Sequence, residues 1–275
     1  MEYGLRLATL EGALKSPGDF CDDELWARCS DAPLTALYFG SEFCQELLPG
    51  IKEAEAFCSR CKEHDLEAVL LTPLLTHKGL ARLTRLLDGL TSRGWFPAVV
   101  FNDWGVLELL RNSFPCIPLR MGRLMNRGLR DPRLEMRAKG PEGENVKRGS
   151  GIRKLASSLG VSALESDADL EPGYLGAGAS GLQRTLHVPF TFATSGRNCL
   201  EKAAATSTGK GLFTRGLKSG CKAPCRGICR PELRQDTQKQ MWRAGNTLFF
   251  KAPPEWIYRH LALADRVVFH EQAMP

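Results

Sequence analysis

Long apolar runs are missing from this chain of 275 residues. Nowhere do about 18 apolar residues follow one another, so no membrane-spanning helix is expected. The opening MEYGLRLATLEG carries an early acid and no continuous apolar core, so no signal peptide is expected and the chain is assigned to the cytoplasm. The sequence also lacks His-Glu-x-x-His and any recognisable nucleophile–base pairing, which removes the usual grounds for a hydrolase centre. His64, His77, His187, His260 and His270 have no ligand-like spacing with one another and receive no role.

Apolar periodicity is absent as well from the stretch that stands out most, Cys199 to Cys229. Four of the ten cysteines lie there, and Cys221, Cys225 and Cys229 follow one another at four-residue steps among Gly, Lys, Pro and Arg. A core cysteine behaves as a small hydrophobe inside an apolar run; thiolates in a Gly/Pro-bearing loop can converge on a metal. Lys218, Lys222, Arg226 and Arg230 would offset their charge and lower the thiol pKa values. In a reducing compartment clustered cysteines point to metal or redox chemistry more than to disulfides. A metal or iron-sulfur site is the leading reading, with structural zinc as the alternative. Zinc sites often use C-x2-C pairs, which the C-x3-C spacing here fits less well.

Cys58 and Cys61 do form C-x-x-C, but with Ala54 and Phe57 they make one apolar stripe of a predicted helix, and a structural role is the simpler reading. Cys21, Cys29 and Cys116 read as reduced, incidental thiols.

Net charge is +6, and it is concentrated. Between Arg120 and Lys154 there are 11 Lys and Arg against 4 acids, or +7, so the remainder of the chain is close to neutral. Such a stretch can hold an anionic partner such as RNA, or can be a solvated face.

Short β-like runs alternate with helical patterns, which predicts parallel βα units. Strands are expected at 5–10, 34–39, 67–72, 98–101, 117–121, 161–164, 186–192 and 266–269, with a further small strand at 247–250. Helices are expected near 22–29, 51–64, 80–90, 105–111, 152–159 and 254–263. The count is that of a (β/α)8 TIM-like barrel, an α/β fold built as a single domain over 1–275 and shortened at its C-terminal end. A basic loop near 130–150 and a cysteine-bearing loop at 199–230 interrupt it. In such barrels functional groups gather at the carboxyl ends of the strands. Cys44, Asp103, Glu165 and Cys199 each follow a predicted strand and would meet at one mouth. Asp103 and Glu165 are candidates for catalysis or substrate orientation, or else helix caps. Arg197 and Asn126 could bind a carboxylate or phosphate, or pack the mouth.

Six runs in these positions, YFGSEFC (38–44), FNDWGVLELL (101–110), MGRLMNRGLRDPR (121–133), LGVSALESD (159–167), VPFTFATSGRNC (188–199) and CKAPC (221–225), resemble the collagenase-like or U32 "peptidase" family. Within it they are most similar to the short, barrel-only members of the UbiV-like anaerobic ubiquinone-biosynthesis type. The resemblance implies a 4Fe-4S cluster held by Cys44, Cys199, Cys221 and Cys225, with Cys229 as an alternate to Cys225. It further implies oxygen-independent hydroxylation of a ubiquinone precursor, an aromatic or prenylated small molecule, with prephenate as oxygen donor and a UbiU-like family member as heterodimer partner. Asp103, Glu165 and Arg197 would then be the catalytic or orienting groups. Other readings stay open: an RNA-modifying member acting on tRNA or rRNA, a non-catalytic partner subunit, or a structural zinc protein. Cys199 and Cys221 are further apart than the family pattern leads one to expect.

Overall fold

The chain runs first through seven strand units. These are β1 (Glu2–Arg6), α1 (Asp23–Ala27), β2 (Leu34–Gly40), α2 (Ile51–Glu63), β3 (Glu67–Leu71), α3 (His77–Thr91), β4 (Ala98–Phe101), α4 (Trp104–Ser113), β5 (Leu119–Met121), α5 (Ser150–Ser158), β6 (Ala163–Asp167) and β7 (Gln183–Val188). Then come β8 (Phe190–Ser195), β9 (Arg230–Glu232), β10 (Met241–Ala244), β11 (Thr247–Lys251), α6 (Pro254–Leu261) and β12 (Arg266–His270). The computed structural model describes residues 1–7, 14–125, 150–168, 181–197, 199, 201–203, 221–232 and 240–275. Strands β1 to β7 and β12 close a barrel in which every neighbouring pair is parallel, β12 joining β7 to β1. This is the expected (β/α)8 architecture, and all eight barrel strands are present. Residues 271–275 beyond β12 are not helical.

The helices form where the sequence stripes predict them. On α3 the Thr76 hydroxyl caps the Gly79 N–H at 3.2 Å, and Leu83, Leu86, Leu87 and Leu90 form its buried face. On α2 the buried face is Ala54, Phe57, Cys58 and Cys61, and it packs with Phe39 and Leu70 on the outside of the barrel. The C-x-x-C pair is therefore core. Burial pushes the Cys58 thiol up to about 11 and the Cys61 thiol up to about 12. Cys58→Ala and Cys61→Ala are each expected to cost about 1 kcal/mol in urea unfolding and to leave bound metal unchanged.

Successive strand side chains face opposite ways, and here the two faces differ in chemistry. Leu37, Phe39, Leu70, Val99, Phe101, Leu186, Val267 and Phe269 point outward into the main apolar core under the helices. Ala36, Tyr38, Val69, Leu71, Ala98, Val100 and Val268 form a smaller apolar cluster on the other face. TIM-like barrels are usually filled by layers of branched aliphatic residues. In this chain polar side chains take much of the interior among the described residues, Arg120, Glu165, Asp167, Thr185, His187, Arg266 and His270 among them.

One expected strand proves to be two. The run 186–192 divides at Pro189, which has no N–H to continue a ladder. Residues 183–188 stay in the barrel, while 190–195 leave it and pair antiparallel with β11. The second sheet has the order β8-β11-β10-β9. Its apolar side, Phe190, Phe192, Ala244 and Phe249, packs on Phe43, Leu124 and Ala273, which follow β2, β5 and β12. The sheet thus lies over the carboxyl ends of the barrel strands. The strand expected at 247–250 belongs to this cover and not to the barrel.

Candidate functional site

Two arrangements meet at that end of the barrel: a group of thiols under the sheet and a column of charged side chains inside the barrel.

Cys44 follows β2. Gly40, with φ +89°, makes the turn that leads to it, and a Cβ there would stand 2.6 Å from the Leu71 carbonyl oxygen; glycine alone suits such a position. The Ser41 hydroxyl then accepts from the Cys44 N–H at 3.1 Å. Cys199 lies beyond β8, and Cys221 and Cys225 lie in the segment before β9. The β10–β11 hairpin turns at Gly245 and Asn246, a pair suited to a two-residue turn, and its tip presses on both regions. The Asn246 side chain donates to the carbonyl oxygens of Phe43 and Gly196, each at 2.7 Å. A Cβ on Gly245 would come within 3.2 Å of the Cys225 sulfur. Outside the sheet, Arg226 ties the turn to α2 through Glu53 at 2.9 Å.

Cys44, Cys199 and Cys225 each feel a neighbouring sulfur. Cys225 donates to Cys199, whose pKa falls to about 6 by that hydrogen bond and by the N–H groups of Lys202 and Glu201. Its partner Cys225 is raised, first by the same bond, then by burial and by the nearby Cys44 and Cys221 sulfurs. Burial, together with Cys199 and Cys221, pushes Cys44 up to about 11 against the N–H groups of Glu46 and Leu47. The Ala223 N–H points at the Cys221 sulfur at 3.3 Å, and the Lys202 N–H at that of Cys199 at 3.5 Å. Among the described residues, however, no three His, Cys, Asp or Glu side chains are drawn in to a metal-holding separation. The thiols are neighbours around a site and not a closed coordination shell. Cys229 stands apart: it packs against the apolar side of the sheet with Phe43 and Ala273, and burial raises its pKa.

The column begins at the amino end of the barrel. There Arg266 donates to Glu2 and Glu67, each at 2.6 Å, and Gln183 joins Glu2 to Arg120 at 2.7 Å. In the middle Arg120 donates to Glu165 at 2.6 Å and to Thr185 at 2.9 Å. The other oxygen of Glu165 meets His187 at 2.8 Å, and His187 meets His270 at 2.7 Å. At the mouth Arg123 donates to Asp167 at 2.6 Å and to both oxygens of Glu42, while Arg6 donates to Glu42 at 3.4 Å and to the main-chain oxygen of Pro275 at 2.9 Å. Glu165 is fully buried; burial alone would raise its pKa, but Arg120 and His187 bring it down to about 2. It therefore stays ionised throughout the ordinary pH range.

His270 is 1% exposed, and its Nδ1 has no hydrogen-bond partner. Burial, then the neighbouring His187, Arg123 and Arg6, holds its pKa well below the usual histidine value. The folded state thus refuses a proton that the unfolded chain accepts below about pH 6.5. Stability should fall as pH drops through that value, and His270→Gln should reduce the slope by roughly one proton, as read from thermal midpoints between pH 7.5 and 5.

The other expected site residues are placed as follows. Asp103 caps α4 by accepting from Gly105 N–H at 2.7 Å, and its second oxygen accepts from Leu75 N–H at 2.9 Å, so both oxygens serve backbone positioning. Glu165 does not follow its strand. β6 starts and ends later than expected, which puts this residue at the strand centre inside the barrel. Arg197 is exposed at the end of β8. Asn126 and the basic loop near 130–150 lie outside the described residues. Two cations of the basic stretch, Arg120 and Arg123, are buried in ion pairs and add nothing to a surface for RNA. No helix among the described residues is long and apolar enough to cross a membrane.

No family model and no curated protein matches the chain. Among solved structures it is similar to the U32 peptidase Mk0906, with 13% identity, TM-score 0.46, and coverage of 100% of this chain and 94% of that one. It is also similar to the chitinase ChiW from Paenibacillus sp., with 10% identity, TM-score 0.38, and coverage of 98% of this chain and 40% of that one.

Proposed function

We propose that this chain is an iron-sulfur barrel protein that takes part in oxygen-independent hydroxylation of a ubiquinone precursor. The observation that carries the reading is the gathering of three separate segments, those of Cys44, of Cys199 and of Cys221 with Cys225, at the tip of the β10–β11 hairpin, where Asn246 bonds Phe43 and Gly196 and Gly245 lies against the Cys225 sulfur. Their donor chemistry fits a 4Fe-4S cluster, which is held by four thiolates and tuned by hydrogen bonds to sulfur. Bound there, the cluster would supply one-electron chemistry that protein side chains lack. Cys199, whose pKa is lowered by the hydrogen bond from Cys225 and by the N–H groups of Lys202 and Glu201, is the ligand best prepared for metal, since the thiolate is the metal-binding form. The N–H groups of Lys202 and Ala223 spread the charge of Cys199 and Cys221. The Phe43–Asn246 contact holds the Cys44 loop against the sheet that carries Cys199.

Hydroxylation, prephenate as oxygen donor and a UbiU-like partner rest on the sequence resemblance. The test is an anaerobic incubation of the chain and that partner with precursor and with prephenate labelled by heavy oxygen at its hydroxyl. The label should appear in the product. Unlabelled product, its oxygen drawn from bulk water, would contradict the reading.

A further inference from the structure

Glu165, His187 and His270 make a hydrogen-bonded chain that runs from the middle of the barrel to its carboxyl end, where such barrels carry their chemistry. All three side chains are buried. The direction of the chain follows from its inner end. Against its burial, Arg120 and His187 keep Glu165 ionised, so both of its oxygens accept and His187 carries a proton on Nε2. With one proton on each ring, His187 Nδ1 then accepts from His270 Nε2. That leaves a bare lone pair on His270 Nδ1, which has no hydrogen-bond partner among the described residues. Buried polar atoms are paired as a rule, so an unpaired one marks a place for an absent donor.

A proton delivered to that nitrogen would not leave its charge there. Besides burial and His187, Arg123 and Arg6 oppose a positive charge on the His270 ring; Arg6 is its register partner on β1. His187, in contrast, faces the Glu165 carboxylate at 2.8 Å. Proton uptake at Nδ1 is therefore matched by passage of the Nε2 proton of His270 to Nδ1 of His187. The donor's O–H bond breaks and an Nδ1–H bond forms; His270 stays neutral as its other tautomer, the positive charge rests on His187 beside Glu165, and the donor keeps the electron pair as an anion. The donor must be acidic enough for imidazole to take its proton. A phenol, at about 10, is within a few units of histidine, and an enol has the same kind of hydroxyl, whereas a simple alcohol is far weaker. A cavity of about 700 Å³ between β1, β2 and α2 is lined by Arg6 and by Gln272 and Ala273, just past His270, so a space of small-molecule size borders the end of β12.

We propose that His270 Nδ1 is a general base for a weakly acidic hydroxyl bound at the barrel mouth, with His187 as the ring that takes up the charge and Glu165 as the group that orients and holds His187. The inference goes beyond the reading above and does not depend on it, because no thiol belongs to the chain.

The test is NMR of the full chain, purified without oxygen and carrying heavy-nitrogen histidine, titrated at neutral pH with para-fluorophenol and with para-fluoroanisole, which has the same ring and no hydroxyl proton. Before titration His270 should show a bare Nδ1 and a protonated Nε2. The phenol should saturate one site and bind about tenfold more tightly than the ether, as one hydrogen bond to a buried acceptor gives. At saturation its fluorine signal should move toward that of the phenolate, His270 Nδ1 should become protonated, and His187 should carry protons on both nitrogens. His270→Gln should abolish the move toward phenolate. The nitrogen signals of the unaltered chain decide the matter even where that variant does not fold. A protonated Nδ1 on His270 in the free protein, equal affinity for phenol and ether, no saturable binding, or a bound phenol that stays neutral would overturn the proposal. Iron is measured on the same samples: colourless protein that ionises the phenol refutes the cluster alone, and brown protein that does not refutes the base alone.

Discussion

Replacing Cys44, Cys199, Cys221 or Cys225 by alanine is expected to bleach the protein purified without oxygen, and Cys229→Ala is expected to leave it brown. Iron should drop from about four per chain to below about one in each of the four variants. The distinction between Cys225 and Cys229 comes from packing. Cys225 sits against the Gly245 turn and hydrogen-bonds Cys199, whereas Cys229 packs on the apolar cluster of the sheet, which includes Phe43 and Ala273. A cysteine among aromatic and aliphatic side chains is a small hydrophobe, so Cys229→Ala should cost a little stability and no iron. Bleaching by Cys229→Ala with colour retained in Cys225→Ala would exchange their roles and contradict the placement of the turn.

Arg123→Met is expected to cost about 3–5 kcal/mol, the usual penalty for stranding a buried charge. Arg123 is fully buried and bridges Glu42 and Asp167, which are themselves buried. Removing it leaves both carboxylates without their main counterion, and Glu42 keeps only the longer contact with Arg6 at 3.4 Å. Burial by itself would raise the Glu42 pKa, but Arg123, His187 and Arg6 bring it below its ordinary value. Its contribution is therefore present above the unfolded carboxylate pKa of about 4.3 and is lost as pH falls through the lower folded value. Without Arg123 that contribution disappears at neutral pH too, so the difference between parent and variant should shrink in acid. Urea midpoints at pH 7 and pH 4.5, with unchanged m-values, measure this. A loss under about 1 kcal/mol at pH 7 would mean that water reaches the pair and that the barrel mouth is not closed as described.

Much of the barrel was legible because each strand is a short apolar run bounded by turns. The expected strand at 98–101 matches β4 residue for residue, and those at 34–39 and 67–72 match to within one residue at one end. Pro189 misled the reading in the opposite way: the apolar run 186–192 is unbroken in composition, and only hydrogen-bonding capacity divides it. The thiol group was legible as spacing, since no apolar period explains Cys221 and Cys225. That Cys229 belongs to another surface depends on the hairpin at Gly245 and Asn246, which no local pattern connects to it.

The charged interior was not legible. Arg120 and Glu165 are 45 residues apart and His187 and His270 are 83 apart, so each looked like a solitary polar residue. Strand parity was the available signal. Glu165, Asp167, His187, Arg266 and His270 all occupy the inward positions of their strands, with Asp167 opposite His187 and with Glu165 and Arg266 both opposite Thr185. Asp103 shows the converse, since a carboxylate after a strand looked functional but serves the backbone of α4 and of the loop before α3.

The cluster itself is tested most directly by iron and acid-labile sulfide per chain in protein purified without oxygen. About four of each, with thiolate-to-iron absorption near roughly 400 nm, is the predicted result. Colourless protein holding one zinc per chain would contradict it.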